Sequence, residues 1–491
     1  MPHAPGRFRA GRGVATGCGP GEIVAMRPLS AFRFIAILAG GLAAAPTLPS
    51  TTAAQAPTPF APPAREAVVV YRRATLIDGT GAAPRDDMDV VVAGERIVRV
   101  VPDRDLDPAQ LAAAKAVDLR GRYLIPGLID SHVHLATPPN RRQAEAVLRR
   151  DLYGGVTAVR DMADDLRAVG DLARGSLVGE IAGPDVYFAA LMAGPAFFTD
   201  RRTVQVTAGG TAGQVPWMQA VTDSTDLPLA VARARGTYAT AIKLYADLAP
   251  ALVARITAEA HRQQLRVWAH ATLYPAKPSE VVSAGVDAIS HTCLLVREPQ
   301  ARVPAWTEPR TPVSLDAFRS GRNPVLAPLF ADMTRRGTIL DATIWTYGPA
   351  TAASTTMPPL PPGSCDDAVG GAIAGQAFRA GVAISAGTDN VSPSSDPWPE
   401  LFHELDELAG KAGMPTSAVL TAATLTGARA AGQERDMGSI EPGKLANLVV
   451  LARNPLDDLA NLKSVVMTVK RGRAFERRAF VPLVPADITD F

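Results

Sequence analysis

For about three hundred residues through its middle, this chain alternates short apolar runs of strand type with alanine-rich stretches of helical period. Thr157-Ala-Val-Arg160, Ala241-Ile-Lys-Leu-Tyr245, Arg266-Val-Trp-Ala-His270 and Val382-Ala-Ile-Ser-Ala-Gly387 are of the first kind. Residues 250–262 and 399–409, with apolar side chains three and four apart, are of the second. Parallel neighbours cannot be joined by a hairpin, so this alternation selects parallel strands linked by crossover helices. Its length favours an eight-fold barrel over an open sheet. Two stretches break the rhythm, 195–226 and 297–323; rich in Pro, Thr and Gly, they read as loops over a site.

Outside the middle the grammar changes. From 67 to 127 short β-type runs (Val68-Val-Val-Tyr71, Val90-Val-Val92, Ile97-Val-Arg-Val-Val101) are broken by turns, and similar runs return only in 445–451 and 465–473. The two ends are expected to share one sheet. At 491 residues the chain has room for the barrel and one such accessory unit. A formal charge of +2, with 47% hydrophobic and 20% charged residues, excludes a disordered chain and argues against nucleic acid as a partner.

The first sixty residues carry no acidic residue except Glu22, and Arg27 and Arg33 lead into Phe34-Ile-Ala-Ile-Leu-Ala39 and then small residues up to Ala54-Gln-Ala56. This is the pattern of a signal peptide over 1–56, followed by a flexible lead-in over 57–66, with Met1 or Met26 as the start. The apolar run is too short and glycine-rich for stable membrane insertion, and the expected destination is the periplasm or the exterior. Cys18 lies in the leader; one disulfide between Cys293 and Cys365 is possible in an oxidising compartment, but two buried thiols are the expected reading.

The segment Leu124-Ile-Pro-Gly-Leu-Ile-Asp-Ser-His132-Val-His134 ends an apolar strand with two histidines two apart, which places both imidazoles on one face. Neutral imidazole suits a borderline ion such as zinc. Lys243, His270, His291 and Asp389 each end a further apolar run, and the spacings of 27 and 21 residues from Lys243 to His270 and on to His291 match one strand–helix–strand step each. Consecutive side chains would then stand at the C-terminal ends of neighbouring strands. Burial of Lys243 in an apolar strand would push it toward the neutral amine, which can take up carbon dioxide as a carbamate; snorkelling, or pairing with Asp247, is the plainer reading. Asp389 alone could be a helix cap.

Together with Gly155-Val-Thr-Ala-Val-Arg-Asp161, Ala284-Gly-Val-Asp-Ala-Ile-Ser-His291, Ala386-Gly-Thr-Asp389 and Gly438-Ser-Ile-Glu-Pro-Gly-Lys-Leu-Ala-Asn-Leu-Val-Val450, these segments resemble the amidohydrolase superfamily, in its imidazolonepropionase-related and prolidase-like branch. The resemblance runs from about residue 70 to 475. It implies a (β/α)8 TIM barrel over 127–434 and a small β-sandwich domain formed by the N- and C-terminal segments, 67–126 and 435–491. It also implies two divalent metal ions, zinc being expected, with His132 and His134 on the first, carbamylated Lys243 as the bridge, and His270 and His291 on the second. Asp389 would contact the activated water, taking its proton and delivering it to the leaving amine. Departures bear on the substrate: Thr292 follows His291 where relatives show Gly, and the loop after the third strand lacks a Gly-Gly-His.

Arg160 and Arg167 are expected as carboxylate clamps, and Tyr245 and Tyr274 as substrate-contacting residues because each closely follows a ligand position. The expected activity is hydrolysis of an amide bond in a dipeptide or N-acyl amino acid, with self-association left open. The alternatives are ring opening of a cyclic amide or lactone, and a catalytically silent barrel scaffold. All six ligand positions hold competent residues, which weighs against the last.

Overall fold

The computed structural model describes residues 63–64, 67–348, 364–389 and 396–482; the expected leader and its cysteine lie outside them. Five strands open the described chain: β1 (Val68–Leu76), β2 (Arg85–Ala93), β3 (Arg96–Pro102), β4 (Lys115–Asp118) and β5 (Tyr123–Pro126). Arg73, at φ +57°, sits in a register shift of β1, and beyond it Ala74 and Leu76 join Tyr71 in one apolar cluster.

The chain passes from β5 through Gly127 directly into the first barrel strand. A Cβ on Gly127 would meet the Thr157 side chain at 2.1 Å, so this crossing admits only glycine. The barrel strands in order are β6 (Leu128–Val133), β7 (Val156–Asp161), β8 (Asp185–Ala193), β11 (Ala241–Leu244), β12 (Arg266–His270), β13 (Ala288–Ser290), β14 (Ile339–Asp341) and β15 (Ile384–Ser385). A small hairpin, β9 (Gln214–Val215) and β10 (Met218–Ala220), is inserted after β8. All eight barrel strands pair in parallel, each with the next in the chain. Ser131 N–H donates to the Ala386 carbonyl and Asp389 N–H to the His132 carbonyl, both at 2.8 Å, tying the last strand to the first.

Period-two alternation sorts the barrel strands into two environments. Ile242, Leu244, Val267, Ala269, Ile289 and Leu340 point outward and share one large core with crossover-helix residues such as Leu148, Val253, Ile256 and Phe330. Each such fully buried aliphatic side chain contributes about 1.5–3 kcal/mol. The inward face is layered. Ala189, Ala241, Trp268, Ala288 and Ile339 form an apolar layer, and above it His270, Ser290, Asp341 and Ser385 are paired in register from strand to strand. A polar layer on an apolar plug places chemistry at the C-terminal mouth.

After the barrel, β16 (Leu448–Leu451), β17 (Val465–Lys470) and β18 (Arg473–Glu476) return to the first sheet. The strand order is β18-β17-β16-β5-β1-β2-β3, with β4 beside β1, so the chain ends do build one mixed sheet. Among the described residues no helix is long and apolar enough to cross a membrane. The expectation of two separate thiols is corrected: Cys293 and Cys365 are joined by a disulfide, 72 residues apart in sequence. The pairing needs the turn after β13 to lie against the start of the helix Asp367–Arg379, a proximity set by topology rather than by any local pattern.

Candidate metal centre

All six expected ligand positions meet at the barrel mouth. His132 is the penultimate residue of β6, its ring 1% exposed, and His134 immediately follows the strand. Their rings share one carboxylate oxygen: each Nε2 lies 3.3 Å from Asp389 Oδ1. Donor atoms of these three residues lie within 4.8 Å of one another, the separation a single ion needs. The far nitrogens are held as well. His132 Nδ1–H donates to Asp341 Oδ2 and His134 Nδ1–H to Asp164 Oδ1, both at 2.7 Å. A carboxylate on Nδ1 fixes the tautomer with the Nε2 lone pair turned to the centre, the orientation a metal-binding histidine requires.

His291 and His270 complete the ring of imidazoles, at centroid separations of 4.9 Å (His132 to His291) and 4.7 Å (His270 to His291). His291 Nδ1 is 2.8 Å from Thr343 Oγ1 and 3.7 Å from Asp389 Oδ2. Burial lowers its pKa to about 3, and burial with the neighbouring Lys243 and His291 keeps His270 well below its usual value. Both rings are therefore neutral ligands at pH 7. His291, Thr343 and Asp389 all have positive φ, at +77°, +48° and +48°, strain of a kind concentrated at functional sites.

Lys243 is fully buried in β11, with Ser290 Oγ at 3.4 Å as its hydrogen-bond partner. It does not pair with Asp247, whose Oδ2 instead accepts the Ala196 N–H at 2.9 Å. Burial lowers its pKa to about 7, so a large fraction is the free amine that carbamate formation requires. Asp389 is held well below the usual carboxylate range: burial alone would raise it, but His132, His134 and His291 outweigh that. The donor set of four imidazoles, an ionised carboxylate and a buried amine fits a divalent metal centre; His134, which Asp164 and Asp389 hold well above the usual histidine value, would release a proton on binding the ion.

Two expected substrate contacts are placed differently. Arg160 is fully buried beneath the site, not at its mouth: Nε donates to the Ser131 carbonyl at 2.6 Å, NH2 pairs with Asp341 at 3.0 Å, and the guanidinium lies 4.6 Å over Trp268. Its alternation with Val159, which joins the outer core, points it into the barrel, where it offsets Asp341 rather than meeting a ligand. Arg167 chelates Asp165 at 2.9 and 2.6 Å. Tyr245, by contrast, reaches the centre, its ring 3.9 Å from that of His270, and Tyr274 lies in the same aromatic wall.

Asp341, Asp164 and Thr343 escape a reading of the sequence. Asp341 binds His132, Ser290 and Arg160 at once. Its signal, a carboxylate ending the apolar Ile339-Leu340, is shared with Lys243 and His270 but on a shorter run. Gly387 belongs here too, since a Cβ there would meet Asp341 Oδ1 at 2.4 Å and His132 Cβ at 2.6 Å.

Comparison with known proteins agrees with the motif resemblance. Residues 368–475 match the model of the amidohydrolase family. Over 120 residues the chain is 33% identical to imidazolonepropionase of Micrococcus luteus, a stretch covering 23% of this chain and 28% of that relative. A solved Xaa-Pro dipeptidase with bound methionine superposes with a TM-score of 0.65 at 20% identity, over 84% of this chain and all of the other. A candidate prolidase from Bifidobacterium longum does so with a TM-score of 0.63 at 26% identity, over 86% and 97%.

Proposed function

We propose, starting from a chain that carries the amidohydrolase family match over residues 368–475 and a barrel shared with known dipeptidase and prolidase folds, that this protein is a metal-dependent hydrolase cleaving the amide bond of a dipeptide or an N-acyl amino acid. The observation that carries the reading is the convergence of His132 Nε2 and His134 Nε2 on Asp389 Oδ1, with both Nδ1 atoms backed by carboxylates. His132, His134, His270, His291 and carbamylated Lys243 would hold two divalent ions, with zinc expected from the imidazole-rich set. The ions would supply Lewis acidity, lowering the pKa of water and polarising the scissile carbonyl.

The chain's own groups do the rest. Asp389, ionised and within reach of three imidazoles, accepts the proton of the attacking water and returns it to the leaving nitrogen. Asp341 and Asp164 keep the two histidines in one tautomer throughout, and Arg160 holds Asp341 ionised from below. The leader pattern and the Cys293–Cys365 disulfide support a location outside the cytoplasm.

The test is a screen of dipeptides and N-acyl amino acids with the zinc-loaded chain and its Asp389→Asn variant. The expected result is turnover in the parent and a loss of at least about 100-fold in the variant with metal retained, the scale of a removed general base. Near-normal activity in the variant would sink the assigned role. The similarity to imidazolonepropionase favours one second reading, ring opening, which gains if cyclic amides are opened while acyclic ones are left intact.

A further inference from the structure

The two interruptions of the barrel rhythm converge on one side of His270. Phe197, in the turn Pro195–Thr199 after β8, stacks on Tyr245 at 4.5 Å. Trp306, from the long segment after β13, meets Phe197 edge-on at 5.6 Å and Tyr274 at 5.9 Å. With Tyr245 at 3.9 Å from His270, the rings form a continuous wall running outward from the centre. Phe197 and Tyr274 are buried within it, whereas Tyr245 and Trp306 keep partly exposed faces.

Three arginines lie on aromatic rings around this mouth, and they differ in charge balance. Arg167, over Trp217, chelates Asp165; Arg202, over Tyr245, chelates Asp200. Arg310 lies 3.8 Å over Tyr274 and 4.9 Å from Trp306, and its NH1 donates to the Ala305 and Glu308 carbonyls. Among the described residues no carboxylate pairs with it. A guanidinium held over a ring face with no carboxylate paired to it keeps N–H groups that a carboxylate can take.

We propose that this mouth selects amide substrates that carry a flat aromatic side group and a carboxylate, as in a peptidyl or N-acyl aromatic amino acid, with the ring against Tyr245 and Trp306 and the carboxylate on Arg310. The proposal rests on the reading of the barrel mouth as the substrate site of an amide hydrolase, and it adds the class of substrate. An uncompensated cation beside an aromatic wall favours a substrate that carries both a carboxylate and a flat ring.

The test separates ligand class from chemistry by using inert probes. Calorimetric titration of the zinc-loaded full chain compares 3-phenylpropionate, propionate and 3-phenylpropan-1-ol. The phenyl acid is expected to bind about tenfold tighter than either partial probe, the scale of one charge-assisted contact or one buried ring. Arg310→Gln should erase the preference for acid over alcohol and leave alcohol binding unchanged, Arg310→Lys should restore part of it, and Trp306→Ala should erase the preference for phenyl over methyl. An acid-over-alcohol ratio unmoved by Arg310→Gln would place the carboxylate elsewhere and overturn the proposal, as would equal binding of the phenyl and methyl acids. The predicted binding pattern without cleavage of any amide would support the ligand class while removing the hydrolase reading.

Discussion

Asp341 offers the sharpest test of how the centre is held. It is fully buried, and its Oδ2 accepts from His132 at 2.7 Å and Ser290 at 2.9 Å and lies 3.0 Å from Arg160 NH2 in an ion pair. Asp341→Asn changes the shape little but removes the charge, leaving Arg160 an uncompensated buried cation with the Ser131 carbonyl as its remaining strong partner. Breaking one side of a buried pair costs about 3–5 kcal/mol, and loss of the carboxylate behind a metal-binding histidine lowers metal affinity by about 10- to 100-fold. The stability effect should appear in denaturant unfolding of the metal-free chain, and the affinity effect in competition with a zinc chelator. Replacing the partner as well, in Arg160→Met with Asp341→Asn, should recover most of the stability but none of the affinity, because the first is charge balance and the second is ring orientation. Asp341→Asn with parental stability and affinity would refute the network, and parallel recovery of both in the double variant would show that the two effects are one.

Two further perturbations act away from the centre. Burial raises Asp151 to about 6 from 3.8, so the fold prefers the neutral acid; the associated stability is complete below pH 3.8 and is lost as pH rises through 6. Asp151→Asn, neutral throughout, should match the parent near pH 4 and exceed it by about 1–3 kcal/mol at pH 8, and no gain at pH 8 would contradict the assignment. Reduction of Cys293–Cys365, which closes a loop across a separation of 72 residues, should lower stability by about 2–4 kcal/mol, read as a fall in the unfolding midpoint with dithiothreitol; an unchanged midpoint would count against a stabilising link.

What could be read from sequence depended on whether the signal was local. Lys243, His270 and His291 interrupt apolar runs at strand ends, and period-two alternation turns that interruption into a direction in space. Gly127 and the strands around it likewise show where sheet hands over to barrel. Asp341 ends so short a run that its meaning comes only from its register with Ser290 and Ser385, which the closed barrel sets. Arg160 looked like a free cation because its partner lies five barrel strands further on; its place on an inward face was legible, but its neutralisation was not. The disulfide was hidden for the same reason, two cysteines brought together by the packing of one helix start on one turn. Asp389 is intermediate: alone it could be a helix cap, its part in proton transfer was implied by the family resemblance, and the shared contact with both histidines needed the last strand to close on the first.

Metal content per chain is the most direct test of the central claim. The chain is purified without chelator, with bicarbonate present, and analysed elementally beside Lys243→Ala. The account predicts about two divalent ions per parent chain and fewer in Lys243→Ala, with external bicarbonate raising occupancy only where the lysine is present. A parent chain that binds no stoichiometric metal, and gains no activity on adding zinc, would contradict it.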